Sequence, residues 1–197
     1  FTDAHEAHGN PFTAEHVSKT KAHMGIPDEP FWAPNDVVSQ CRAHAANKGA
    51  ALLSEYDSAT AHAEGKHGFD QCWSEPQGDA VADLMPSFAQ DSTLATRQAI
   101  QQCIEASASV LPGLLIGSAD LTGNTGVKVK SVGAQSKQLP TGQQVYFGIR
   151  EHAMGAAMVG MALHGGTIPV GGTFFVFADY MRPAIRLAAL SKARVIF

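Results

Sequence analysis

The chain has 197 residues, 45% of them hydrophobic and 16% charged, with a formal net charge of −4. A sequence this apolar and this weakly charged excludes intrinsic disorder, and its acidic balance gives no basic footprint for nucleic acid. Three scattered cysteines, Cys41, Cys72 and Cys103, exclude a disulfide framework and point to a reducing compartment, the cytoplasm. The longest apolar runs, 153–163 and 168–178, fall short of the ~18 residues of a membrane span. The polar, His-rich opening residues do not read as a signal peptide. Because the chain opens on Phe1 and closes on Arg194-Val195-Ile196-Phe197, the start of a strand, the expectation is a piece of a longer protein.

Residues 1–35 hold Pro11, Pro27, Pro30 and Pro34 and read as irregular, with one short helix over 13–23. Pro34-Asn35-Asp36 opens a helix, since Val37, Val38, Cys41, Ala45, Leu52, Leu53 and Tyr56 recur every three or four residues. Gly49 is a candidate interruption, and a second helical stretch runs to about Glu64. Residues 65–91 read as a linker with a helical patch at 81–84. Ser92 is a candidate cap for a helix whose stripe is Leu94, Ile100, Cys103, Ile104 and Val110, ended by Pro112-Gly113.

The apolar run 114–117 reads as a buried strand, 121–143 as a polar loop and 145–149 as a second buried strand. A small-residue helix over 154–164 and a third strand over 167–170 follow. Asp179 is read as the cap of a helix through about 191, and 195–197 as the start of a fourth strand. Alternating helices and strands predict an α/β fold, a parallel sheet with helices on both faces, preceded by a mainly helical or irregular segment.

Open parallel sheets bind ligands at the carboxyl ends of their strands. That rule selects Ser118-Ala119-Asp120, Arg150-Glu151-His152 and Gly171-Gly172-Thr173-Phe174. Glu151 is the most informative, because it lies between a buried strand and a helix of small residues that packs tightly. A carboxyl group confined there has its charged form disfavoured, which suits it to hold or donate a proton. The alternative is a surface charge pair with Arg150. Phe174, Phe177 and Tyr180, spaced by three, form either an aromatic wall for a flat heterocycle on a helical turn or plain core packing. Arg97 is either a clamp for phosphate or carboxylate or part of a solvated face. His5, His8, His16 and His23 cluster without a known metal-ligand spacing. There is no GxGxxG or P-loop glycine pattern and no G-x-S-x-G elbow.

Several segments together resemble the transketolase family. Gly117-Ser118-Ala119-Asp120-Leu121-Thr122-Gly123 is similar to its GSADLTG segment, and Gly148-Ile149-Arg150-Glu151-His152-Ala153-Met154 to its GIREH-M segment. Leu163-His164-Gly165-Gly166, Gly171-Gly172-Thr173-Phe174 and the stretch 179–190 continue the likeness, and His5-Glu6-Ala7-His8-Gly9-Asn10-Pro11 resembles the segment closing the family's first domain. The likeness covers essentially the whole chain and is weakest across 40–90.

The resemblance implies a thiamine-diphosphate enzyme that moves a two-carbon ketol unit from a ketose phosphate to an aldose phosphate in the pentose phosphate pathway. It implies residues 1–35 as the tail of the diphosphate-binding domain, 36–91 as a helical connection and 92–197 as the first part of a pyrimidine-binding domain. Glu151 falls on the family's catalytic glutamate. His8, Asp120, Phe174, Phe177 and Tyr180 fall on cofactor-binding positions, and His8, Arg97 and Asn124 on substrate-binding ones. Asn124 stands where the family has a phosphate-binding serine. The resemblance further implies a homodimer, with sugar phosphates as substrates and Mg2+ held by ligands outside these residues, so that this stretch by itself is expected to be inactive. A dihydroxyacetone synthase and a non-catalytic assembly subunit of the same fold are the alternative readings.

Overall fold

The computed structural model describes residues 5–61, 63, 66–74 and 78–197. The chain divides into two compact units, Phe1–His62 and Ala63–Phe197.

The first unit holds α1 (Ala14–Met24) and α2 (Asn35–Thr60). Local chemistry explains α1. Thr13 Oγ1 accepts from the His16 N–H, and His16 Nδ1 accepts in return from the Thr13 N–H, at 3.3 and 3.4 Å. These bonds satisfy two amide donors at the helix start. Gly25, at φ 68°, closes the helix in the left-handed region that glycine adopts without cost. The expected helix over 13–23 is therefore present, one residue on. Helix α2 begins at the expected Asn35 and runs unbroken through Gly49. Its predicted end near Glu64 lies outside the described residues.

The second unit opens with α3 (Lys66–Trp73) and α4 (Gly78–Ala82), followed by α5 (Thr96–Ala108). Then come β1 (Leu114–Ser118), β2 (Gln144–Tyr146), α6 (Glu151–His164), β3 (Ile168–Gly172) and α7 (Ala178–Leu190). The strands form one parallel sheet in the order β2-β1-β3, with Ser118 in register with both Tyr146 and Gly172. The three carboxyl ends thus lie in one row.

Successive strand residues face opposite sides, and each side has its own core. On one side Ile104 and Ala108 of α5 pack with Leu114, Ile116 and Val170, joined by Val127 and Val129. On the other, Met154 and Met158 of α6 pack with Met181 and Ala184 of α7 and with Ala119. Gly155 makes the second side possible, since a Cβ there would lie 2.9 Å from the Ala184 Cβ. Ile116, Met154 and Met158 are at most 1% exposed. Burial of such side chains stabilises by about 1.5–3 kcal/mol each. The predicted parallel α/β sandwich is the fold observed.

Several boundaries differ from expectation, and the stretch read as a linker with a patch at 81–84 holds α3 and α4. Ser92 does not cap α5. The helix starts at Thr96, and Gln98 Oε1 reaches back to accept from the Ala95 N–H at 3.1 Å. Strand β2 stops at Tyr146 because Gly148 turns the chain at φ 68°, so α6 begins at Glu151 itself. Asp179 does not cap α7, which grows out of a 3-10 turn at Phe175–Phe177, and Asp179 pairs with Arg182 instead. The fourth strand is reduced to a single bridge between Val170 and Ile196.

Candidate functional site

The row of strand ends carries most of the predicted residues. After β1, Ala119 is buried and Asp120 takes φ 63°, a conformation unusual outside glycine. The chain then closes a turn in which the Asn124 and Thr125 N–H groups donate to the Leu121 carbonyl at 2.9 and 3.1 Å. The side chains of Asp120 and Asn124 are exposed. Gly126 packs onto the backbone of Arg97, where a Cβ would run into the Arg97 carbonyl. The α5 start is thereby brought against the segment that follows Asn124. Arg97 itself is exposed.

After β2, Arg150 Nη1 donates to the Phe147 carbonyl at 3.0 Å. Glu151 makes no ion pair with it among the described residues. Glu151, the first residue of α6, is 8% exposed and its carboxylate has no hydrogen-bond or ion-pair partner among the described residues. The surface charge pair weighed from the sequence is thus not what the fold builds. The Glu151 carboxyl oxygens are not fully enclosed, so they remain open to a ligand.

After β3 comes Thr173, whose buried hydroxyl finds no hydrogen-bond partner among the described residues. Phe174, Phe177 and Tyr180 follow as a continuous row of rings. Phe174 and Phe177 stack at 6.0 Å and 22°, and Phe177 meets Tyr180 at 6.2 Å and 43°. Phe174 and Tyr180 are 43% and 66% exposed, so the row is a wall rather than core. It is carried by a 3-10 turn running into α7, not by one helical turn.

His8 belongs to the first unit, where it is exposed and its N–H donates to the His5 carbonyl at 3.0 Å. Among the described residues no group of three or more His, Cys, Asp or Glu side chains could hold a metal ion. No helix is long and apolar enough to cross a membrane among those residues.

Two residues that tie α5 and the sheet to the segment 129–131 escaped the sequence reading. Glu105 of α5 accepts from the Lys130 and Ser131 N–H groups, both at 2.9 Å. Burial disfavours its charge, but these bonds and the nearby Lys130 charge hold its carboxyl below the ordinary carboxylate range. Gln144 is 3% exposed, donates to the Ile116 carbonyl at 2.9 Å and accepts from the Val129 N–H at 3.2 Å. For Gln144 the signal was a polar residue at the start of an apolar strand; Glu105, on a helix rich in polar residues, gave none. A cleft of about 610 Å3 lies at the opposite, amino ends of the strands, lined by Cys72, Trp73, Gly113, Gly166 and Thr167 among others. It contains none of the candidate residues, and burial pushes the Cys72 thiol up there. The strand-end row, not the cleft, gathers the chemistry.

Comparisons with known proteins identify the family of the chain. The family model described as "Transketolase, pyrimidine binding domain" matches residues 92–197, and "Transketolase, thiamine diphosphate binding domain" matches residues 1–72. The chain is 40% identical over 205 residues to a chloroplastic transketolase of Craterostigma plantagineum, covering 100% of this chain and 39% of that protein. It is 36% identical over 204 residues to the transketolase of Aquifex aeolicus, covering 99% of this chain and 29% of that one. The structure of a Pichia stipitis transketolase complex with sedoheptulose-7-phosphate superposes with a TM-score of 0.77 at 26% identity, covering 94% of this chain and 29% of that one. The chain thus spans well under half the length of these relatives. With these family models matching residues 1–72 and 92–197, and with the parallel α/β fold shared with the solved transketolases, the chain belongs to the transketolase family.

Proposed function

We propose that this chain is part of a thiamine-diphosphate-dependent transketolase that transfers a two-carbon ketol unit from a ketose phosphate to an aldose phosphate. The observation that carries the reading is Glu151, a largely buried residue at the mouth of a parallel sheet whose carboxylate has no partner among the described residues. The residues present fit the cofactor. An unpaired carboxylate and a half-exposed row of rings at the end of one sheet suit a flat, basic heterocycle. When bound, thiamine diphosphate supplies the carbanion stabilisation that such a transfer needs, chemistry that no side chain of this chain supplies.

The work of this chain is to bind, orient and move a proton. Glu151 would hold the pyrimidine ring nitrogen through its carboxyl oxygen and exchange a proton with it. Phe174, Phe177 and Tyr180 would flank the ring and exclude water, and Asp120 would border it. His8 would lie towards the diphosphate and substrate. Arg97 and Asn124 would take the phosphate end of the sugar, Arg97 by charge and Asn124 by a neutral donor where the family has serine. A sugar phosphate as substrate is consistent with the sedoheptulose-7-phosphate of the Pichia stipitis complex.

In this reading residues 1–35 end the diphosphate-binding domain, 36–91 connect, and 92–197 begin the pyrimidine-binding domain of a cytoplasmic homodimer, with Mg2+ held outside these residues. The test is Glu151→Gln in the full-length enzyme. The amide cannot relay the proton, so kcat should fall by about 10²–10⁴-fold. Deuterium exchange at the thiazolium C2 should slow in parallel. Exchange at the parent rate would remove Glu151 from the role.

A further inference from the structure

Ser118 is 0% exposed, yet it bonds to all three segments that lead from the strand ends into the candidate site. Its hydroxyl donates to the Gly172 carbonyl at 2.7 Å, immediately before Thr173 and Phe174. The same oxygen accepts from the Leu121 N–H at 3.0 Å, immediately after Asp120. Its carbonyl accepts from the Phe147 N–H at 3.2 Å, and the Phe147 carbonyl in turn holds Arg150 Nη1, next to Glu151. Few residues could do this. The position needs a donor and an acceptor on one atom, and a side chain small enough for the row where three strands end. The neighbouring glycines show how little space there is: a Cβ at Gly117 would come 2.6 Å from the Val145 carbonyl, and one at Gly172 would come 2.7 Å from Thr125 Oγ1.

We propose that Ser118 is a positioning residue. By joining the Asp120 turn to the end of β3, and β1 to the segment before α6, it sets the spacing of Asp120, Glu151 and the ring row. It touches no ligand itself. Without its hydroxyl, the Leu121 N–H and the Gly172 carbonyl lose a partner that water cannot replace at a fully buried position. The left-handed turn at Asp120 and the path into the aromatic row are then no longer tied to each other. The proposal rests on the reading of the strand ends as the cofactor site.

The experiment compares Ser118→Ala, Ser118→Thr and Ser118→Cys in the full-length enzyme by three readouts. Amide hydrogen exchange without cofactor covers residues 119–124 and 173–177. Calorimetric titration gives the Kd for thiamine diphosphate, and thermal melting reports stability. Ser118→Ala should speed exchange in both segments and raise Kd by about tenfold, the factor of one to two lost hydrogen bonds. Ser118→Thr keeps the hydroxyl but adds a methyl group to a tightly filled row, so its Kd and its exchange should fall between those of the parent and of Ser118→Ala. If the Ala variant does not accumulate, Ser118→Cys, of similar shape but a weak donor, carries the same comparison with a smaller rise. A lower melting temperature with parental Kd and parental exchange would make the serine structural only and overturn the proposal. Failure of the parent enzyme to bind thiamine diphosphate would sink the functional reading instead, and the exchange data alone would then decide on Ser118.

Discussion

The two units of the chain are stabilised in different ways. In the first, neither α1 nor α2 has a buried residue, and Val37, Leu52, Leu53 and Tyr56 of α2 are 48–60% exposed. What is visible there is local: a reciprocal cap at Thr13 and His16, a glycine stop at Gly25, and an i,i+4 ion pair between Glu15 and Lys19. Such pairs contribute only tenths of a kcal/mol. In the second unit the ties are long in sequence, from Ser118 to Gly172 and from Glu105 to Lys130, around side chains with no solvent exposure. The candidate site sits where long-range order is available. A constellation drawn from three strand ends can be held to tenths of an ångström only by groups that are themselves fixed.

The largest effect should come from the second unit's core. Ile116→Ala should remove about 2–5 kcal/mol from the unfolding free energy of that unit, because the cavity lies between β1 and α5. Trp73 lies in the second unit and Trp32 in the first, so denaturation followed by Trp73 fluorescence in a Trp32→Phe background reads the second unit alone. A change below about 1 kcal/mol would mean that this core is not the source of stability.

A smaller effect should appear at the Glu105 latch. Its carboxyl group is held below the ordinary range in the folded chain, so its contribution is fully present above the unfolded value and lost as pH falls through the folded one. Glu105→Gln should cost about 1 kcal/mol at neutral pH. The difference between parent and variant should shrink as pH drops below about 4.3. Urea midpoints for both proteins across that interval provide the check, and a gap that stayed constant down to acid pH would exclude the charge as its cause.

The smallest effect tests the first unit. Gly49 lies mid-helix, with nothing within 4 Å of where a methyl group would sit. Gly49→Ala should therefore stabilise α2 by about 0.5–1 kcal/mol, seen as a gain in helical circular dichroism. A loss of helix would show that this face is covered in the assembled protein, and the contrast between the units would narrow.

Particular residues show why some of this was legible in the sequence. The apolar run 114–117 reads as a buried strand, observed as Leu114–Ser118, and the Gly- and Ala-rich helix after Glu151 reads as closely packed. That junction already marked Glu151. Helix α3 was hidden because KHGFDQCW carries Gly68 and only Phe69, Cys72 and Trp73 as an apolar pattern. The start of α5 was misplaced because its cap is made backwards, by Gln98, at an alanine. Ser118 was visible as a strand-end residue, but its partners lie 3, 29 and 54 positions away, and no local pattern encodes where Phe147 and Gly172 come to rest.

The core between α6 and α7 has a chemical consequence. Three of its five buried members, Met154, Met158 and Met181, are thioethers. Oxidation turns such a side chain into a polar sulfoxide that no longer fits an apolar contact. While the unit is closed these sulfurs are shielded, at 0–3% exposure, whereas Met24 stands 64% exposed in the first unit. Peroxide should therefore mark Met24 at once and the other three only during opening. The sulfoxide pattern becomes a permanent record of how often the strand-end site comes apart, and each mark made there opposes reclosure.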